Sequence, residues 1–254
     1  MMLMLSNGIR NQHLYIFLSL FISSAVVSDT LELSTLDWPP FSGAELTEKG
    51  IATRIVKHAI AYDNHQLKVT VVPWVRAIRM AKMGAKIGYF PEYINVTNEF
   101  IFSQSLGASP IGLLELKSNP IVWDTFTDLN KYVLGVVKGY VNTDEIDTMI
   151  ANGEQKYEEA MNEKQNILKL AAGRIDTIVI DLNVYQYLKS DPKIEQISHL
   201  LQINNKILDS KSLHVALANN KEGERWLKII NDGLSKFEPQ IMLDAYLQET
   251  NKHP

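Results

Sequence analysis

Leu31-Glu32-Leu33-Ser34-Thr35-Leu36-Asp37-Trp38-Pro39-Pro40-Phe41, together with the run from Gly50 to Tyr62, decides the fold. Leu31, Leu33 and Leu36 mark a first strand. Pro39 and Pro40 stop it, because neither offers a backbone N–H to a ladder or a helical turn. From Gly50 the period changes. Ile51, Ala52, Ile55, Val56, Ala59 and Ile60 form one broad apolar face, with Arg54, Lys57 and His58 opposite. That spacing is helical. A strand, a rigid turn and an amphipathic helix in this order predict an α/β unit.

The pattern recurs down the chain. Residues 67–72 read as a strand halted by Pro73, and 74–83 as a helix through Trp74, Ile78 and Ala81. A brief strand at 87–90 precedes an irregular stretch containing Pro91. Further strands are expected at 111–116, 132–137, 175–180 and 213–217. Asn142 with Glu145, and Asn162 with Gln165, have capping-box spacing for helices at 143–151 and for one ending at Gly173. Residues 182–189, 222–237 and 240–250 complete the helices. Strands alternating with helices imply parallel sheets with crossover helices. There is no internal repeat and no long linker, so any division into lobes is made by strands that cross between them.

Composition narrows the function. The chain has 254 residues, a formal net charge of -4 and no cysteine. That charge lacks the basic footprint of a nucleic-acid binder. Without cysteine there is no disulfide, no thiolate zinc site and no cysteine nucleophile. The histidines at 13, 58, 65, 199, 214 and 253 never fall three or four apart, so a helical metal pair is missing. Phosphate-cradling and dinucleotide glycine motifs are also missing, and no cofactor is expected. Asp144, Glu145 and Asp147 look like a catalytic cluster but sit where the first turn of a helix favours negative charge. At the amino end, Arg10, the apolar run 14–22 and the small residues 23–28 predict a signal peptide over 1–28, and hence export.

Five segments in order resemble the bacterial extracellular solute-binding protein family 3, the polar amino-acid type of periplasmic binding protein. They are Asp37-Trp38-Pro39-Pro40-Phe41 with Gly50; Pro73-Trp74-Val75-Arg76-Ala77; Phe102-Ser103; Asp128-Leu129 with Gly135-Val136-Val137-Lys138-Gly139-Tyr140; and Leu170 to Asp181, through Gly173-Arg174-Ile175-Asp176. The resemblance implies a two-lobed α/β fold of the type II periplasmic-binding-protein kind, with two crossing hinge segments. Lobe 1 would hold 29–112 plus 211–254, and lobe 2 would hold 113–210. It further implies a monomer in the periplasm that closes on a small polar or zwitterionic solute and serves an ABC-type membrane permease. A receptor-associated sensor and an enzyme on the same scaffold are the alternatives. Two departures stand out. Gly84-Ala85-Lys86-Ile87-Gly88 lacks the family's Asp, and Asn95-Val96-Thr97-Asn98-Glu99-Phe100 lacks the Arg that clamps a ligand carboxylate.

The cleft of such a protein needs aromatic walls and a few fixed polar groups. Trp38 and Phe41, beside the proline turn, either face the ligand or plug the first helix. Trp74 is a wall or a core residue. Arg76, near a helix start, either replaces the missing Arg or is solvated. Phe90 and Glu92 lie at a strand exit, where Glu92 either meets a ligand cation or sits in a surface loop. Lys138, Gly139 and Tyr140 end a strand before a capped helix, where N–H groups suit an anion and Gly139 permits close approach. Asp181 either caps a helix or, as the resemblance implies, binds the ligand's ammonium group.

Overall fold

The computed structural model describes residues 28–95 and 97–252, with side chains through 250. The expected signal peptide thus lies almost wholly outside the described residues. Among these residues no helix is long and apolar enough to cross a membrane.

Each half of the molecule is a short parallel sheet with helices against it. In the first half β1 (Thr30–Thr35) pairs in parallel with β2 (Gln66–Val71) and with β3 (Gly88–Tyr93). Helices α1 (Ile51–Ala61) and α2 (Trp74–Lys82) make the crossovers. All six apolar positions expected on α1 are buried. Short β4 (Phe100–Phe102) follows, and then β5 (Ala108–Leu116) leads into the second half. There β6 (Leu134–Val137) lies between β7 (Tyr157–Ala160) and β8 (Thr177–Asp181), parallel to both. Helices α3 (Asp144–Ala151), α4 (Glu163–Ala171), α5 (Leu182–Leu188) and α6 (Pro192–Ser198) belong to it. The chain returns through β9 (Leu201–Ala218) and ends with α7 (Lys221–Leu234) and α8 (Pro239–Lys252).

One continuous sheet results, in the order β2-β1-β3-β9-β5-β8-β6-β7, with β4 also on β9. Only its outer parts are parallel. β9 runs antiparallel to β5 through residues 201–212 and to β3 through 213–217, and β5 is antiparallel to β8. The parallel sheets expected are present in those outer parts, and between them the two crossing strands, running side by side in opposite directions, form antiparallel ladders. β9 is far longer than the strand expected at 213–217. Its first part, Gln202-Ile203-Asn204-Asn205-Lys206, is polar and half-exposed, and it is held by pairing with β5 rather than by a buried face. β3 likewise extends past Pro91 to Tyr93. The ladder to β9 shifts register between Tyr89 and Glu92, and that irregularity accommodates a residue with no N–H.

A close packing contact fixes α7 on α1. A Cβ placed on Gly233 would come within 2.0 Å of the Ala59 carbonyl oxygen, so only glycine fits there. At α3 the cap differs from the one expected. Thr143 Oγ1 accepts from the Ile146 N–H at 3.3 Å, while Asn142 donates to Asp147 through both its main chain (2.9 Å) and its amide (2.6 Å). At α4 the expected cap is present, Asn162 Oδ1 accepting from the Gln165 N–H at 3.0 Å.

Candidate functional site

The two halves meet along the strand exits, where the chain leaves β1, β3, β6 and β8. β1 delivers Trp38 through the Pro39-Pro40 turn, and Phe41 folds back under the indole with ring centroids 4.7 Å apart. Trp74 opens α2. Glu92 and Tyr93 end β3, Tyr140 follows β6, Glu163 opens α4 and Asp181 ends β8. Three of the side-chain hydrogen bonds that cross between the halves here come from aromatic donors. The Trp38 indole donates to Glu163 Oε1 at 2.6 Å, the Trp74 indole donates to the Gly139 carbonyl at 3.0 Å, and the Tyr93 hydroxyl donates to Asp181 Oδ2 at 3.2 Å. Tyr140 stands edge-on to both indoles, at 6.3 Å from Trp38 and 6.1 Å from Trp74.

Between these contacts lie two small cavities of about 20 Å³ each, each with room for roughly one water molecule. The first touches Trp38, Trp74, Glu92, Tyr93 and Tyr140. The second touches Trp38, Tyr93, Tyr140, Asn142, Glu163 and Asp181. They therefore share a wall of three aromatic rings, with Glu92 on one side and the Glu163–Asp181 pair on the other. No Lys, Arg or His lines either cavity.

All three carboxylates are buried, and burial disfavours the ionised form of each. Burial pushes Glu92 up to about 8, against the pull of the Tyr93 N–H, the Tyr89 phenol and the charge of Lys211. It pushes Glu163 up to about 7, opposed by the residue's own N–H, the Trp38 indole and the Tyr140 phenol. Asp181 rises to about 6 for the same reason, opposed by Ser109, Tyr93 and the N–H groups of Val184 and Asn183. Glu115 provides the contrast. It too is buried, but it takes the Ile121 N–H at 2.9 Å and the amides of Gln202 and Asn204 at 2.7 Å each. That acid ties a loop to β9 and lines neither cavity, whereas Glu92, Glu163 and Asp181 each line one.

Of the residues singled out in the sequence, Trp38, Trp74, Glu92, Tyr140 and Asp181 line the cavities. Asp181 also caps α5, through Oδ1 to the N–H groups of Asn183 (2.9 Å) and Val184 (3.1 Å), as its helix-cap reading expects. Gly139 adopts φ +79° and places its carbonyl under the Trp74 indole. Phe41 and Phe90 are fully buried and support the wall from behind. Arg76 and Lys138 are exposed and line neither cavity, and Lys138 lies 3.9 Å from Glu159. The expected anion position before α3 is filled by the chain's own Asp147. Sequence reasoning missed Glu163, and it read Tyr93 only as one of the aromatics around Glu92. Glu163 directly follows a cap residue and reads as an ordinary first-turn acid, and nothing local distinguishes it from Asp144.

No family model matches the chain, and no curated protein matches it. Solved structures do. An amino acid ABC transporter substrate-binding protein from Streptococcus pneumoniae, bound to L-arginine, is 16% identical with a TM-score of 0.69, covering 88% of this chain and 94% of its own. A histidine kinase sensor domain with similarity to periplasmic binding proteins is 14% identical with a TM-score of 0.72, covering 87% and 95%. The ligand-binding core of GluR0 from Nostoc punctiforme, in complex with L-glutamate, is 19% identical with a TM-score of 0.65, covering 87% and 96%. At these identities the likeness establishes the fold: a mixed α/β architecture of the periplasmic-binding-protein kind.

Proposed function

We propose that this chain is a solute-binding protein that captures a small polar solute between its two halves and delivers it to a membrane permease. The observation that carries this reading is the convergence of Trp38, Glu92 and Tyr93 from one half with Tyr140, Glu163 and Asp181 from the other on two adjoining cavities. Aromatic walls with a few buried polar groups are what a small solute needs. The lobes in this reading are 29–112 with 211–254, and 113–210. The paired course of β5 and β9 supports those boundaries, since β9 leaves β5 for β3 between Ser212 and Leu213. The protein works as a monomer in the periplasm after loss of residues 1–28, without a cofactor, and it releases its solute chemically unchanged.

A thermal-shift panel of amino acids, polyamines, opines and small organic acids tests it. A true ligand at a hundredfold excess over Kd stabilises by about 2.7 kcal/mol and raises the midpoint clearly. If every class leaves the midpoint of folded protein unmoved, the reading fails.

The sensor-domain neighbour favours a second reading, in which the loaded protein signals through a receptor. Deleting the chain then abolishes a ligand-induced response while solute uptake continues. Loss of uptake identifies the permease route.

A further inference from the structure

The geometry points to a ligand with two ammonium groups and no carboxylate, an α,ω-diamine or short polyamine, whose alkyl chain lies against Trp38, Tyr93 and Tyr140. This rests on the solute-binding reading and specifies its substrate class.

The argument is one of charge and spacing. Glu92 borders one cavity and Glu163 with Asp181 the other, with the aromatic wall common to both. Among the described residues no three acidic or histidine side chains lie close enough to hold one metal ion. With Glu92 on one cavity and Glu163 and Asp181 on the other, the acids suit a ligand charged at both ends and apolar between. Ammonium groups form charge-assisted hydrogen bonds to carboxylates, stronger than the neutral indole and phenol donors that now serve Glu163 and Asp181. A diamine therefore enters by taking over those acceptors, and the released rings flank its chain, where a cation over an aromatic face gains further.

A ligand carboxylate finds no such partner. Lys211, the cation whose charge acts on Glu92, donates to the Asn142 carbonyl at 2.9 Å, lies 3.4 Å from Asp144 Oδ1, and sits over the Tyr93 ring at 5.9 Å. Arg76 is exposed and lines neither cavity. An amino acid would bring its carboxylate into a site of three buried acids with no lining cation.

The decisive comparison is 1,5-diaminopentane against L-lysine, which differ by one carboxylate, measured by calorimetry on the full chain at pH 8. The diamine is expected to bind at least tenfold tighter. Glu92→Gln should lower diamine affinity to that of 1-aminopentane on the unaltered protein, while 1-aminopentane binding changes less than threefold. Circular dichroism confirms that the variant folds. If L-lysine or L-arginine binds as tightly as the diamine, the inference is overturned and solute capture stands. If only organic acids from the broader panel bind, the result is the same. If nothing binds, both fall.

Discussion

The Trp38 indole N–H donates to Glu163 Oε1 at 2.6 Å across 125 residues of sequence, and it does so between the two halves of the molecule. Glu163 is buried and held near a pKa of about 7 by the balance of burial against its donors. The pair is therefore both a latch and a titrating group.

Removing either partner of that latch has unequal consequences. Trp38→Phe keeps the ring but leaves a buried carboxylate without its strongest side-chain donor, at a cost of about 2 kcal/mol. Glu163→Gln removes the charge that burial penalises and still offers an oxygen to the indole. Urea unfolding should rank the two, with Trp38→Phe clearly the less stable. The opposite order would show that the bond contributes little to closure.

Stability should fall as pH rises, through the cleft acids. A carboxyl whose folded pKa is raised is stabilising below its unfolded value, and that contribution is lost as pH climbs through the folded one. For Glu92 the window runs from about 4.5 to about 8. His214, paired with it across the β3–β9 ladder, acts oppositely: burial lowers its pKa, so its own contribution is lost on acidification. Comparing the protein with Glu92→Gln at pH 5 and pH 9 isolates the acid. The natural protein should lose stability relative to the variant over that interval, and parallel curves would count against the assignment.

Gly139 holds φ +79° beside Val75 and Trp74. An L side chain there costs about 1–2 kcal/mol in backbone conformation. Gly139→Ala should lower the unfolding free energy by that amount and shift tryptophan emission, since the Trp74 indole loses its aligned acceptor. An unchanged spectrum would mean the contact is not maintained in solution.

Gly233→Ala should be strongly damaging, because the added Cβ meets the Ala59 carbonyl oxygen at 2.0 Å. Overpacking of this kind costs about 1–3 kcal/mol, and a clash with backbone places this site at the upper end. A Tm within two or three degrees of the parent would show that α7 can slide on α1.

The order of elements was legible where periodicity was strong. α1 announces its buried face through six apolar residues, and β8, Thr177–Asp181, through Ile178-Val179-Ile180. What stayed hidden depends on partners distant in sequence. β7, Tyr157–Ala160, has three exposed residues and exists because β6 offers an edge. α6 begins at an Asp191 cap followed by Pro192, a local start signal whose apolar stripe is too short to stand out. In the cleft, Trp38 and Asp181 could be found from their places beside a turn and at a strand end. Glu163 could not, because only the meeting of the halves gives it its neighbours.

β9 runs eighteen residues without interruption and is bonded to β5 through its first twelve. The two halves are thus joined by a pleated ribbon of paired strands that is continuous with the sheet of each. In the solute-binding reading proposed above, that ribbon is the joint, and any parting of the halves has to be absorbed by its ladder.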